Sequence, residues 1–308
     1  MIINSVSGFI SEIEKITKDD NVVVFFRGHG DKAYEMKPSI FRPIKTGSND
    51  TFVGKKKEHL MFRDFVARYE AEFRDCFYTM DFLVKMQHYD LPTRTLDLTT
   101  NCLVALYFAC SGSRNRRGEV IVFSIPEDAI RHYDSDKVSA IANLVKINSI
   151  DIVCPRPYQG KSTDKKFRDT EDYIKKFNTS GDMKRLLHEI QREKPYYQSI
   201  IDPNDLLDNI VTVMPKQNNQ RVKNQSGAFL LFGLGKDGSS GNYTKEIHPK
   251  IPTKWILKGK DSITGERIFI PKSAKENILK ELAQMGITES FIFPEMDKYA
   301  KELKEKYS

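Results

Sequence analysis

Three groups of polar residues interrupt an otherwise regular apolar pattern, and such interruptions are where chemistry is first sought. Arg27-Gly28-His29-Gly30 closes the apolar run Val22 to Phe26. An arginine at a strand exit, beside glycines that let a ligand approach the backbone, can hold a phosphate bidentately; the structural alternative is a turn whose arginine pairs with a carboxylate. Gln87-His88-Tyr89-Asp90-Leu91-Pro92-Thr93-Arg94-Thr95-Leu96-Asp97-Leu98-Thr99-Thr100-Asn101 carries almost every kind of hydrogen-bonding side chain. A segment this polar between two apolar helices is either solvated or internally satisfied. Pro92 stiffens it, Thr99 and Asn101 can cap the next helix and leave its N–H groups as an anion site, and Asp97 can orient Arg94 or His88. A network that serves packing alone is the alternative. In the third group, Arg221 to Phe229, Gln225 both donates and accepts, and Gly227 leaves room beside it.

The elements that must position these groups follow from hydrophobic period. Val6, Phe9, Ile10, Ile13 and Ile16 recur at helical spacing over residues 5–17, and Val22 to Phe26 reads as a buried strand. Between Glu58 and Met86 the spacing of Leu60, Phe62, Phe65, Val66, Tyr69, Phe73 and Phe77 predicts one long helix or two abutting ones. A helix over 99–110 opens on Thr-Thr-Asn, and strands are read at 119–125, at 227–233 and in the Glu-Arg-Ile-Phe-Ile-Pro run. The amphipathic helix that follows is closed by Gly286. Strands separated by helices and loops of very unequal length give α+β: a central, mostly antiparallel sheet with flanking helices. Residues 1–126 and 213–308 read as two halves of one α+β domain, and 127–212 as a helical insertion.

Composition narrows the classes. The 308 residues are 39% hydrophobic and 30% charged, which excludes a disordered chain and an integral membrane protein. The longest apolar run, Leu103 to Cys110, is far short of the roughly 18 residues that cross a bilayer, and the first twenty residues lack a secretory leader, so the expectation is cytoplasmic. Four cysteines form no CxxC pair and six histidines no HxxxH pair, so no metal cofactor is expected. The net charge of +7 permits an anionic partner, a phosphorylated cofactor or nucleic acid. The basic runs Lys55 to Lys57 and Arg114 to Arg117 read as solvated loops.

Taken together, Phe26-Arg27-Gly28, Pro38-Ser39-Ile40-Phe41-Arg42, the 87–109 stretch, Arg221 to Gly233 and the 270–297 stretch resemble the FRG domain family. The chain departs from it at Leu96-Asp97-Leu98-Thr99, where many members have Leu-Asp-Trp-Thr, and at Asp90, where a glycine is usual. A looser likeness is to ADP-ribosyltransferases: Phe26-Arg27-Gly28 is similar to their first-strand Arg-Gly, the 96–109 stretch to their Ser/Thr strand and helix, and Gln225-Ser226-Gly227 to their Gln-x-Glu. The glutamate of that motif is missing, and His88, Asp97 or Glu246 could take its role.

These resemblances imply an enzyme that uses NAD for ADP-ribosyl transfer or glycohydrolysis, as a toxin or defence effector. They imply catalytic roles for His88, Asp97 and Gln225, and cofactor contacts from Arg27, Gly28, His29, Arg42, Gln87, Tyr89, Thr93, Arg94 and Thr99. The other class is a non-catalytic module that binds a nucleotide or nucleic-acid phosphate in the same cleft.

Overall fold

The computed structural model describes residues 1–16, 21–46, 49–51, 57–148, 151–152, 181–198, 200–239 and 242–307, with most of 172–179. Cys154, Lys55, Lys56 and nearly all of the charged stretch 161–177 lie outside the described residues. Strands β1 (Val22–His29), β2 (Thr95–Thr99), β3 (Gly118–Pro126), β4 (Ile130–His132), β5 (Ile210–Met214), β6 (Gly227–Phe232), β7 (Ile256–Lys258) and β8 (Ile268–Ile270) form one sheet. Its order is β7-β3-β1-β2-β6-β5-β4, with β8 also on β3, and only the β4–β5 pair is parallel. The fold is therefore α+β around a mostly antiparallel sheet.

Four strands of this sheet, β2, β4, β5 and β7, go unread in the hydrophobic pattern of the sequence. Residues 95–99 lie inside the segment read as a polar loop, yet they are the central strand β2, paired with β6 over five positions. Leu96 and Leu98 point to one face, and Thr95, Asp97 and Thr99 to the other. The aromatic stretch forms two helices, the second of the two expected arrangements: α2 (Glu58–Arg68) and α3 (Thr79–His88), with a 3-10 turn at Glu70–Phe73 between them. The segment 127–212 holds helices α5 (Asp136–Ala142) and α6 (Gly181–Glu193), and also contributes β4 and the start of β5 to the main sheet.

One face of the sheet is covered without a break: Phe25, Leu96, Leu98, Phe123, Leu230 and Phe232 pack with Ile40, Phe41 and Trp255. The other face is covered by two separate helical layers. Helices α1 (Val6–Glu14), α4 (Cys102–Ser111) and α8 (Lys275–Gln284) lie over β1, β3 and β8, packing Phe9, Leu106 and Ile278 with Phe26 and Val122. Helices α2, α3, α5 and α6 lie over β5 and β6, packing Phe62, Leu83, Ile141 and Ile190 with Val213 and Leu231. The middle strand β2 falls between the layers, and there it presents its polar face.

Two buried ionic devices hold this arrangement. The Lys275 ammonium donates to the carbonyls of Gly30, Gly112 and Ser113 at 2.7, 2.9 and 3.2 Å, tying α8 to the ends of β1 and α4. Arg94, wholly buried, donates from Nε and Nη2 to Glu58 at 3.0 and 2.5 Å and from Nη1 to the Phe232 carbonyl at 2.9 Å. Lys245 adds a second cation 3.1 Å from Glu58, and the two together hold the Glu58 carboxyl down at about 2 although burial pushes it up. Removing one member strands the others in a low-dielectric interior. Arg94→Met is expected to destabilise the fold by about 3 to 5 kcal/mol, read as a lowered midpoint in urea unfolding; a midpoint within error of the parent would mean the trio carries little of the fold.

Candidate functional site

Strand β1 runs beside β3 for eight paired positions but meets β2 at one only, Phe26 with Thr99. Beyond that pair the β1–β2 ladder stops, and the backbone of β2 next to β1 is left for side chains and ligands. A cavity of about 260 Å³ occupies this opening, lined by both strands, by the Ser39–Phe41 turn with Arg42, and by Gln87, Phe108, Arg221 and Gln225.

Arg27 fills part of the opening. Its Nη1 donates to the Asp97 carbonyl at 2.6 Å and lies 3.6 Å from the Asp97 carboxylate, while Nε donates to His29 Nε2 at 3.0 Å. Its Nη2 donates to no described residue, so the N–H groups of that nitrogen remain for an acceptor. Burial lowers the guanidinium to about 10 against the opposing pull of Asp97, which leaves it charged at neutral pH. Arg42 donates from Nε to the Lys37 carbonyl at 2.9 Å and adds a second positive edge to the same cavity.

Asp97 is held from behind. Gln87 Nε2 donates to its Oδ1 at 2.6 Å, and the Gln87 carbonyl oxygen accepts from the hydroxyls of Thr93, at 2.7 Å, and Thr95. Two threonine donors thus fix which end of the amide faces Asp97. The ordered carboxylate stays half open to the cavity mouth, with 57% of its side chain exposed.

Of the residues expected at the site, Arg27, Gly28, Arg42, Gln87, Asp97, Thr99 and Gln225 line this cavity. Thr93 is buried behind it, acting through Gln87. Gly28 is at the wall, but its missing side chain makes room for α4: a Cβ there would stand 1.9 Å from the Ala105 carbonyl oxygen. Thr99 donates to the Gln225 carbonyl at 2.6 Å and accepts from Asn101 N–H at 2.9 Å. Asn101 alone caps α4, at Leu103 and Val104, so the expected anion site at that helix start is already filled by a side chain. Gln225 Nε2 donates to the Ile292 carbonyl at 3.0 Å, which anchors the C-terminal segment to the cavity wall.

Five residues weighed for the site lie elsewhere. Arg94 is spent on Glu58, so Asp97 orients neither it nor His88. His29 is buried and supports Arg27 rather than facing the cavity. Tyr89 is exposed and lines a neighbouring cavity of about 350 Å³ together with His88. Glu246, weighed as a substitute carboxylate, does not line the Arg27 cavity. In turn Ser39, Asp90 and Arg221 line it without having been expected. Ser39 had a signal, since it sits inside Pro38-Ser39-Ile40-Phe41-Arg42; its hydroxyl accepts from Thr93 N–H at 3.0 Å. Asp90 takes φ +59°, the left-handed region where glycine is favoured, which gives a physical reason for glycine at that place in the pattern.

With the geometry in place, comparison with known proteins adds one finding: residues 23–118 match the FRG domain. This part of the chain is an FRG domain. The match takes in β1, the Ser39–Phe41 turn, α2, α3, β2 and α4, hence most of the FRG cavity wall, while Arg221 and Gln225 come from beyond it. No curated protein and no solved structure matches the chain.

His29 gives the FRG cavity a pH dependence. Burial, then the charges of Arg27, Arg42 and Arg267, press its imidazole down to about 2, so it is neutral in the fold and free to accept from Arg27. The unfolded chain takes up this proton near pH 6.5 and the folded chain only far below, so stability is full above that pH and is lost on acidification. Unfolding free energy is expected to fall by up to about 1.4 kcal/mol for each pH unit below 6.5 on account of this one group. Denaturant titrations from pH 7 to 5 on the parent and on His29→Gln check it, since the variant should flatten the slope. An equal slope in both would remove His29 from the account.

Proposed function

We propose that the cavity between β1 and β2 binds a phosphorylated nucleotide and that the protein acts on the N-glycosidic bond of NAD, as a transferase or glycohydrolase. The observation that carries this reading is the pairing in one small cavity of an arginine whose Nη2 has no described acceptor and an aligned, half-exposed carboxylate. Arg27, aided by Arg42, neutralises a phosphate; Asp97, held by Gln87, faces positive charge that develops on the ribose.

In the reaction so proposed, the bond from the anomeric carbon to the nicotinamide nitrogen breaks with its electron pair going to the ring, which thereby loses its positive charge. Water or an acceptor nucleophile supplies the new bond to the anomeric carbon and loses a proton to solvent or to Asp97. Gly227 supports giving the carboxylate role to Asp97. A Cβ there would meet Val222 only at an ordinary 3.5 Å, so neither space nor a positive φ demands glycine, and the position simply carries no acid. A volume of about 260 Å³ suits one nucleoside half of a dinucleotide rather than the whole.

The alternative, a binding module without catalysis, is favoured by a single fact: Asp97 already has Arg27 as an ionic partner 3.6 Å away. One experiment separates the two. Incubation with NAD followed by measurement of free nicotinamide is expected to show release by the parent and a loss of at least 100-fold in Asp97→Asn. In a thermal unfolding series, ligand at a hundred times its dissociation constant should add about 2.7 kcal/mol to the parent and nothing to Arg27→Gln. Stabilisation without nicotinamide release would favour the binding module; no stabilisation and no release would end both.

A further inference from the structure

A second cationic corner adjoins the Arg27 cavity. Arg221 lines that cavity, the 350 Å³ cavity beside it, and the 40 Å³ neck between them. Its guanidinium carbon lies over the Phe293 ring, 4.6 Å from the centroid, and Nη1 donates to the His88 carbonyl at 3.2 Å. His88 lines the neck and the outer cavity, where Lys85 and Lys216 are already paired with Asp75 and Asp81.

Glu295 is turned into this corner against its own preference. A glutamate with a partly exposed side chain ordinarily puts its carboxylate in water and its methylenes against the protein. Here 32% of the side chain is exposed, yet both oxygens are shut away from solvent and neither has a hydrogen bond of proper direction. Oε1 stands 3.0 Å from His88 Nε2 and 3.6 Å from Arg221 Nη1, close enough for charge attraction but misaligned. A desolvated carboxylate with poor hydrogen bonds is held weakly for its charge. It follows Pro294 at the start of the C-terminal helix α9 (Met296–Tyr307), which carries exposed Met296, Tyr299 and Tyr307.

We propose that the corner made by Arg221 and His88 is a second anion subsite, built for a phosphate of the same ligand, and that Glu295 occupies it as a stand-in until the ligand arrives. The inference rests on the nucleotide reading of the Arg27 cavity and extends it: a ligand with two linked phosphates spans the neck, one phosphate at Arg27 and the other at Arg221. Displaced, Glu295 swings its carboxylate into water, where it is better solvated. A ligand with one phosphate gains nothing from the second corner.

Inorganic pyrophosphate, titrated calorimetrically into the full chain at constant ionic strength, is the probe. Glu295→Gln, which keeps the shape and removes the charge, is expected to bind it at least tenfold tighter than the parent. The gain should vanish when Arg221→Gln is added. Arg221→Lys, which keeps the charge without the fork, should retain part of it and guards against a fold defect in the glutamine variant; urea midpoints report folding for each protein. No gain in Glu295→Gln overturns the subsite, as does a gain that survives Arg221→Gln. A gain that depends on Arg221 but not on Arg27, alongside no stabilisation by NAD, would sink the dinucleotide reading and leave the subsite standing.

Discussion

The structure turns on a ladder that stops. Eight paired positions fasten β1 to β3 and five fasten β2 to β6, but a single pair joins the two halves of the sheet at Phe26 and Thr99. A sheet interrupted in its middle leaves backbone polar groups that need other partners, and an unpaired buried group is costly. Arg27 serves as one such partner by donating to the Asp97 carbonyl, so the residue that closes the break is also the one that can meet a ligand. The two helical layers part over the same strand. Sheet and helices therefore open at one place, and the cavity is the consequence of both.

This also accounts for what could be read in the sequence and what could not. The apolar periods of Val22 to Phe26, of 119–125 and of 227–233 were legible because each strand is buried, and burial leaves an apolar record. Strand β2 reads as part of a polar loop by composition, although Thr95-Leu96-Asp97-Leu98-Thr99 alternates strictly and the ADP-ribosyltransferase likeness implied a strand there. Its polar residues face the gap between the layers, where no apolar partner is needed, so composition argued for a loop while period argued for a strand. Whether α2 and α3 are one helix or two stays open in the sequence for the opposite reason: Tyr69, Phe73 and Phe77 continue the helical spacing through a turn that itself packs Phe73 into the core.

The site residues divided along the same lines. Arg27 and Arg94 both stand beside glycine or proline-stiffened polar runs, and sequence gave them equal claims on a phosphate. Arg94 is wholly buried, with every nitrogen engaged by Glu58 or the Phe232 carbonyl, partners from α2 and β6 that no local spacing announces. His29 shares its face of β1 with Arg27, but it is buried at the strand's end and its ring accepts from Arg27 Nε instead of lining the cavity. Gln87 was legible as a polar residue in a polar run; that two threonines fix its amide toward Asp97 depends on the strand that was not read.

What separates Arg27 from Arg94 is the accounting of donors. A folded interior satisfies its polar groups almost completely, so a charged group left with unspent hydrogen bonds beside a cavity is a departure that folding alone does not favour. Arg94 meets the structural standard in full. Arg27 does not: two contacts orient the fork beside the cavity, and Nη2 has no acceptor among the described residues. Had Arg27 been needed only to close the sheet, the carboxylate of Asp97 would serve best drawn in as its bidentate partner. Instead Asp97 is pulled toward Gln87 and stands 3.6 Å from the guanidinium, which keeps cation and anion close but unsaturated. Unsaturated charge of both signs therefore stands beside the cavity, and that is the feature on which the proposed nucleotide site rests.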